Sequence, residues 1–344
     1  MIKIFTDEAY LTESHRRFVF PLLFHIWYKK DAPLQNLYPL VNDPGEADVH
    51  VLPVSAEHYI SSRSTDMDSF IRRALSLGKH VWVYSSGDLG ISFGTQVTVF
   101  RFGGFASKMP PTTVILPAHT VDPYPLLGKD FVPLEKADAP QIAFTGNADA
   151  GVRKWITEYY IQLFYAWHRF TKRLPSDRQP FFPSGIVRYR LLKGLQQDKR
   201  ISTDFIFRKT YRAGARTEAE RRITQLEFYH NMQASPYTFC MRGNGNFSVR
   251  FYEALAMGRI PVLVDTDVRL PLEDMIPWER HCVKVTADTL SDDLLDFHQR
   301  ISPEAFRSMQ EENRRLWQDA LSDVRFFHSV HADFQKKRNQ TDRS

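Results

Sequence analysis

The stretch P-Y-T-F-C-M-R-G-N-G-N-F-S-V-R-F-Y-E-A-L-A-M-G-R-I-P-V-L-V-D-T-D, from Pro236 to Asp267, decides the fold. Its first apolar run, Tyr237 to Met241, is rich in aromatic residues and predicts a buried strand. Two glycines in residues 242–246 then favour a tight turn. Helical spacing of apolar residues over 247–257 predicts a helix, and the aliphatic run Ile260 to Val264 predicts an interior parallel strand.

The ends of the predicted helix carry their own signals. Asn246 or Ser248 can cap its first turn, because a short polar side chain accepts hydrogen bonds from the free N–H groups there. Gly258 stands where helices commonly end in the left-handed conformation.

Charged residues flank the predicted glycine loop. A helix N-terminus attracts anions, and the guanidinium groups of Arg242 and Arg250 can bind phosphate through paired hydrogen bonds. Glu253 follows one turn beyond Arg250, where a carboxylate can accept hydrogen bonds from ribose hydroxyls. The pattern predicts a nucleoside diphosphate site formed by Arg242, Gly243, Gly245, Asn246, Ser248, Arg250 and Glu253.

This stretch resembles the signature of the exostosin family of glycosyltransferases, R-G-x-G-x-x-S-x-R-F-x-E-A-L-x-x-G-x-I-P-V. The matching positions are Arg242, Gly243, Gly245, Ser248, Arg250, Phe251, Glu253, Ala254, Leu255, Gly258, Ile260, Pro261 and Val262. The resemblance implies a GT-B fold, which is an α/β fold of two Rossmann-like domains with an interdomain cleft. It also implies a nucleotide-sugar donor and transfer with inversion at the anomeric carbon.

Strand and helix patterns alternate along the chain, which is typical of doubly wound sheets. We expect an N-terminal Rossmann-like acceptor domain in residues 1–139, a C-terminal Rossmann-like domain for the nucleotide-sugar in 140–330 and a charged tail in 331–344, with fraying from Lys336 to Ser344. Within the first domain, residues 14–28 predict one amphipathic helix. The site is expected between the domains, because ligands bind at the carboxyl ends of parallel strands.

Three further cations are expected to reach the donor. The resemblance implies this role for Arg153, which opens a helix after the strand end F-T-G; a solvated helix surface is the alternative. Arg208 and Lys209 follow another predicted strand and are expected to face the same crevice.

An inverting transfer needs a general base that deprotonates the acceptor hydroxyl. Asp88 is the leading candidate, because it lies in a glycine-flanked loop after a predicted strand of the N-terminal domain. Asp7, Glu8 and His119 follow comparable strand ends and remain alternatives, although each could instead serve as a turn or capping residue.

Two D-x-D triplets raise the question of a divalent metal ion. Asp66-Met67-Asp68 lies at a helix start and is interpreted as complementing the helix dipole. Asp265-Thr266-Asp267 ends a strand and is interpreted as bordering the donor sugar. We expect neither a metal nor another cofactor, because the arginines and the helix N-terminus can stabilise the leaving diphosphate.

The 344-residue chain is 43% hydrophobic and has a net charge of +5. The length suits two domains, and the composition excludes an intrinsically disordered chain. The mild basicity fits phosphate-bearing ligands or peripheral contact with an anionic membrane, whereas no basic–aromatic array indicates nucleic acid binding. Cys240 and Cys282 lie in apolar runs and predict buried, reduced thiols.

No run approaches the roughly 20 apolar residues that cross a bilayer, and the N-terminal sequence predicts a strand rather than a signal peptide. We therefore expect a soluble, bacterial-type and cytoplasmic relative, with peripheral contact at the inner membrane as a further option.

These patterns predict an inverting glycosyltransferase that moves a sugar from a nucleotide-sugar to a hydroxyl of a glycan or glycolipid. Synthesis of a surface polysaccharide or lipopolysaccharide is the expected setting. Two alternatives remain open: a non-catalytic nucleotide-sugar-binding partner of another transferase, and a nucleotide-sugar isomerase.

Overall fold

The computed structural model describes residues 1–149, 151–171, 176–208 and 214–341. In this part of the chain, two parallel sheets of five strands each are surrounded by helices. The two sheets lie on either side of the predicted junction near residue 140. This arrangement confirms the predicted α/β fold with two Rossmann-like halves, the architecture of GT-B proteins.

The first sheet is made of β1 (Ile4–Phe5), β2 (Val49–Val51), β3 (His80–Tyr84), β4 (Val97–Arg101) and β5 (Thr113–Ile115). The strands are parallel and lie in the order β1-β2-β3-β4-β5. Their β-branched and aromatic residues suit a pleated, buried surface, and Trp82 and Phe100 anchor the core.

The helices of this half are α1 (Pro21–Leu23), α2 (Ala32–Leu37), α3 (Ala56–Ser62), α4 (Asp66–Ser76) and α5 (Tyr124–Leu127). The expectation of one helix over residues 14–28 is wrong. A 3-10 turn at Arg16–Phe18 comes first, and α1 begins at Pro21 and continues as a π-helical turn. Proline can start a helix but cannot continue one, because it lacks the N–H group.

The second sheet is made of β6 (Gln141–Asn147), β7 (Ser202–Arg208), β8 (Tyr237–Cys240), β9 (Ile260–Val264) and β10 (Val283–Val285). All neighbouring pairs are parallel, in the order β10-β9-β8-β6-β7. Every residue of β8 and β9 is buried, as their continuous apolar runs predict.

Six further helices surround this sheet: α6 (Val152–Phe170), α7 (Ser184–Gln197), α8 (Glu218–Ala234), α9 (Val249–Ala256), α10 (Leu290–Arg300) and α11 (Pro303–Leu316). The start of α8 is a capping box, in which Thr217 and Glu220 each accept a backbone hydrogen bond from the other.

The C-terminal segment differs from the predicted frayed tail, because its helix continues to Thr341 and Arg338 donates to Asp48 at 3.3 Å. Residues 323–341 form α12 (Asp323–Thr341), which packs back on the first half of the chain. Phe326, Phe327 and Val330 are buried in the core of the first sheet, and the Tyr38 hydroxyl donates to the Phe327 carbonyl at 2.7 Å. The apolar residues of this charged segment thus stabilise the opposite half.

The two halves also touch along the loop that follows β4. Phe105 and Val268 form an antiparallel bridge, and the Asn246 amide donates to the Gly104 carbonyl at 3.0 Å. The glycine loop therefore lies at the junction between the halves.

Both cysteines, Cys240 and Cys282, are buried free thiols, as predicted. Among the described residues, no helix is both long and apolar enough to span a bilayer.

Candidate functional site

The predicted strand, glycine loop, helix and second strand are confirmed as β8, α9 and β9 with the loop between β8 and α9. The helix begins at Val249, two residues later than expected. Ser248 occupies the N-cap position, and its side chain makes no capping hydrogen bond. The N–H groups of the first turn, which have no partner within the helix, thus receive no bond from this side chain.

A cavity of about 820 Å³ lies beside this helix N-terminus. The ends of β6 and β8 and the helices α7, α8 and α9 surround it. Its charged lining comprises four arginines and two carboxylates: Arg188, Arg208, Arg221, Arg250, Asp88 and Glu253. The position at the carboxyl ends of parallel strands is the one expected for a ligand site.

Arg250 is held against the end of β6. Its Nη2 donates to the Thr145 carbonyl at 2.7 Å, and its guanidinium lies 4.3 Å from the centre of the Phe144 ring. Gly146 permits this position, because an added Cβ would lie 2.6 Å from Nη2. Burial lowers the pKa of Arg250, and its Nε is buried without a hydrogen-bond partner.

Arg188 was not predicted from the sequence. It donates to the carbonyl oxygens of Asn147 and Arg242, at 2.7 and 2.9 Å. Burial lowers its pKa to about 10, with a smaller contribution from nearby Arg250. Its Nε is also buried without a hydrogen-bond partner. An arginine within an amphipathic helix carries no signal in the sequence that separates it from a solvated one.

Arg208 lies in the cavity wall, where it was predicted to be. Its Nη2 contacts the Glu227 carboxylate at 2.6 Å and the Thr224 carbonyl at 2.8 Å. Arg221, which was not predicted, adds an exposed cation one turn before Thr224. Lys209, the other predicted residue here, lies outside the described residues.

Some of these arginines have a buried N–H group that is not used in a hydrogen bond. Within the part of the chain that the structure describes, the buried Nε atoms of Arg188, Arg208 and Arg250 have no hydrogen-bond partner, although Arg208 already pairs with Glu227 through Nη2. Within the described residues, Arg250 has no salt bridge. Desolvated guanidinium groups with free donors are costly unless an anion pairs with them. Among the described lining residues, four arginines stand against two carboxylates, and this net positive charge favours an anionic ligand.

Glu253 is a half-buried wall residue one turn along α9 from Arg250. Burial raises the pKa of its carboxyl to about 6, and the Arg250 charge opposes this shift. Above that pH it is an ionised acceptor, suited to neighbouring hydroxyl donors.

The two glycines of the loop have different structural roles. Gly243 lines the cavity, and an added Cβ would meet no protein atom within 4 Å. At Gly245 an added Cβ would lie only 2.1 Å from the carbonyl oxygen of Asp88. Gly245 is therefore required for the close approach of the two halves, whereas Gly243 leaves room for a ligand.

Arg242 and Asn246 do not line the cavity, in contrast to their predicted positions. Arg242 is 3% exposed, lies between the rings of Phe105 and Phe182, and donates to Gln179 at 2.6 Å. The Asn246 amide donates to carbonyl groups on both sides of the interdomain junction. Both side chains stabilise the glycine loop, because they donate hydrogen bonds to oxygen atoms in and around the loop.

Arg153 is also absent from the cavity lining. It lies exposed in the first turn of α6, so the structure favours the alternative of a solvated helix residue.

Asp88 lies exposed between two cavities. It lines the large cavity and a second one of about 240 Å³, whose other lining residues include Glu57, Tyr165 and Asn244. The Glu57 carboxylate accepts hydrogen bonds from the Ser85 hydroxyl at 2.5 Å and from the backbone N–H of Ser86 and Gly87 at 2.9 and 3.1 Å.

Arg101 holds the other end of the Asp88 loop. Its buried guanidinium donates to the Leu89 carbonyl at 2.7 Å and pairs with Asp177 at 2.5 Å. The Asp177 N–H in turn donates to the Gly90 carbonyl. The loop is therefore restrained on both sides of Asp88, although neither Glu57 nor Arg101 was predicted.

The alternative base residues lie elsewhere. Asp7 caps a 3-10 turn by accepting from the Ala9 N–H. His119 pairs with Asp323 at 2.5 Å, which raises its pKa. Asp7, Glu8 and His119 line neither cavity.

The second D-x-D triplet makes contacts within the protein. Asp265 pairs with Lys284 at 3.0 Å, and Asp267 accepts from the Ser107 hydroxyl at 2.5 Å. The described residues include no cluster of three or more His, Cys, Asp or Glu side chains that could hold a metal ion.

Residues 183–301 match the family model described as the Exostosin GT47 domain. A probable glucuronosyltransferase, GUT1, from rice (Oryza sativa subsp. japonica) is 39% identical over 61 residues, which are 18% of this chain and 15% of the rice protein. A probable beta-1,4-xylosyltransferase, IRX10, from Arabidopsis thaliana is 40% identical over 52 residues, 15% of this chain and 13% of that protein. These relatives are plant proteins and do not support the expected bacterial origin.

Two solved structures resemble the whole chain more distantly. The apo form of the lipopolysaccharide outer core galactosyltransferase WaaB has a TM-score of 0.39 at 11% identity, covering 96% of this chain and 99% of that one. An alpha1,3-fucosyltransferase has a TM-score of 0.34 at 12% identity, covering 96% and 90%. At these TM-scores neither likeness supports an argument about this chain.

The matched segment contains all four cavity arginines, the glycine loop and Glu253. The part of the chain that resembles the Exostosin GT47 domain is therefore the part that builds the arginine-lined wall of the cavity.

Proposed function

We propose that this chain is a glycosyltransferase that moves a sugar from a nucleoside-diphosphate sugar to a hydroxyl group of a glycan. One observation supports this most strongly. Four arginines line one cavity at the N-terminus of α9, beside a carboxylate that is suited to hydroxyl donors.

The diphosphate of the donor occupies the space between Arg250, Arg188 and Arg208 in this proposal. The first-turn N–H groups of α9 and the open side of Gly243 complete its surroundings. Glu253 accepts hydrogen bonds from the ribose. The arginines and the helix dipole stabilise the charge that develops on the leaving diphosphate, which is commonly the largest contribution to catalysis.

The acceptor occupies the smaller cavity, and Asp88 removes the proton from its hydroxyl group. This assignment rests on the position of Asp88, which borders both cavities. Attack from the side opposite the leaving diphosphate inverts the anomeric carbon. The relatives include a probable glucuronosyltransferase and a probable beta-1,4-xylosyltransferase, so glucuronic acid and xylose are the first donor sugars to test. The proposed setting is the assembly of a polysaccharide.

The first experiment measures donor binding. Nucleoside diphosphates and their sugars are screened by thermal shift, and the strongest ligand is titrated by calorimetry. We expect Arg250→Ala and Arg221→Ala to weaken binding about 10- to 100-fold each, since hydrogen bonds to charged groups contribute about 1.5–3 kcal/mol. Arg221 is exposed, so its variant should remain folded if Arg250→Ala does not.

Arg153→Ala is the matched control, because Arg153 is exposed and does not line the cavity. If no nucleoside diphosphate stabilises the protein, or if all three variants bind equally well, the donor site is wrong. Mass spectrometry of reactions with the bound donor then tests transfer. Conversion of the donor at unchanged mass would indicate an isomerase, and binding without turnover would indicate a non-catalytic partner.

A further inference from the structure

Helix α6 exposes an unusually apolar surface to solvent. Phe170 is 82% exposed, Val152 74%, Tyr160 65% and Trp167 62%. Leu163 and Phe164 on the same helix are also exposed. A surface helix of a globular protein normally turns such residues toward the core.

Helix α6 instead turns its apolar residues toward solvent. Five residues at helical spacing are the half-buried positions among the described side chains of the helix: Glu158, Gln162, Tyr165, His168 and Arg169. The polar side of the helix therefore packs against the protein, and the apolar side faces outward. Contiguous exposed apolar surface of this kind marks an interaction site.

The apolar surface continues beyond the helix. Phe181 is exposed, and its ring lies edge-on to Trp155 and Tyr159, with ring centres 6.1 and 5.9 Å apart. Trp155 and Tyr159 stack on each other at 5.4 Å. The outward side is thus an ordered cluster of aromatic rings.

The charges on α6 are complementary to an anionic surface. Its one acidic residue is Glu158, which is half-buried and close enough to Arg188 to affect the pKa of that arginine. Arg153, by contrast, is exposed at the start of the helix. Among the described side chains of α6, the outward side therefore carries aromatic residues and one arginine, and it carries no acidic residue.

We propose that α6 binds the surface of an anionic lipid bilayer, lying in the headgroup region with its apolar side toward the acyl chains. Tryptophan and tyrosine favour this region because their rings are apolar and their N–H or O–H groups remain hydrated. Amphipathic helices with cations and aromatic residues bind in this way, buried about 5–10 Å deep.

This binding places the smaller cavity next to the bilayer. Tyr165, on the inward side of α6, lines that cavity together with Asp88. A lipid-linked acceptor could then place its hydroxyl group in the cavity while its lipid remains in the membrane.

The test is co-sedimentation of the full chain with phosphatidylcholine vesicles, with and without phosphatidylserine. We expect the wild-type chain to bind only the anionic vesicles and to dissociate as the salt concentration rises, since salt screens the attraction. Trp167→Glu should weaken binding at least about tenfold, because it places a carboxylate in the apolar side.

Ile223→Glu is the matched control. Ile223 is a 66% exposed apolar residue on α8, so the same change of chemistry is made on another helix. Equal thermal melting of both variants establishes that they are folded. The proposal is overturned if the wild-type chain ignores anionic vesicles or if both variants bind equally.

Light scattering in lipid-free buffer tests whether a second copy of the chain covers this surface instead. A dimer that Trp167→Glu converts to a monomer, together with an absence of vesicle binding, would assign this surface to a second copy of the chain and overturn the membrane proposal.

Discussion

At the scale of single residues, Glu253 couples the proposed function to stability. Its carboxyl has a pKa of about 6 in the folded chain because burial disfavours the charged form. The native state therefore holds this proton more tightly than the unfolded state does. Stability falls as the pH rises from the unfolded pKa, about 4.5, through about 6, and then remains at the lower level.

Glu253→Gln removes this charge with little change of shape. We expect the variant to be more stable than the wild type at pH 7, by at most about 2 kcal/mol, and the difference to vanish in acid, below about pH 4.5. Urea denaturation across this range measures it. Glu46→Gln, at an exposed position, should show no such trend.

The same substitution should weaken nucleoside diphosphate binding, because an amide is a poorer acceptor for ribose hydroxyls than a carboxylate. For the wild type, affinity should rise with pH up to about 6 and then become constant, as Glu253 ionises. A variant that follows the wild type in both stability and binding would remove Glu253 from the site.

At the scale of the element, the C-terminal helix α12 stabilises the N-terminal half of the chain. Phe326 and Phe327 are 1% and 2% exposed and lie in the core of the first sheet. Phe327→Ala should destabilise the protein by about 3–5 kcal/mol, as expected for a buried aromatic residue. Chemical denaturation measures this change.

Arg325→Ala provides the control on the same helix, because Arg325 is exposed. It should change stability by no more than about 0.5 kcal/mol. Equal stability of the two variants would indicate that α12 does not pack on the first sheet in solution.

At the scale of the whole molecule, the proposed base and the donor site lie on different halves. The Asp88 loop approaches the glycine loop so closely that only glycine fits at position 245. The halves meet at this point, and the two cavities lie on either side of Asp88.

This separation predicts that Asp88→Asn will lower the rate of sugar transfer and leave donor binding nearly unchanged. Affinity for the nucleoside diphosphate should stay within a factor of about 2, whereas transfer should fall about 10²- to 10⁴-fold, the usual contribution of a general base. Calorimetry and a transfer assay measure the two quantities. Asp68→Asn, at an exposed position on α4, should affect neither.

Full transfer by Asp88→Asn would place the base elsewhere. Glu57 would then be the next residue to test, because it lies in the same small cavity.

Some features followed from the sequence alone because they depend on local chemistry. Apolar runs, paired glycines and a helix C-cap predict β8, α9 and β9, since strand, turn and helix preferences act over a few residues. Glu253 and Arg250 could be assigned to one side of the loop for the same reason, because they are neighbours on a helix. The order of strands and helices likewise predicts the two parallel sheets.

Other features were decided only by tertiary structure, because they depend on contacts between distant parts of the chain. Arg188 and Arg221 join Arg250 only once α7 and α8 pack beside α9. Arg242 instead lies between Phe105 and Phe182, which the sequence places far from it. Local preferences act within each segment, whereas the direction in which a charged side chain points depends on which buried groups need its hydrogen bonds and charge.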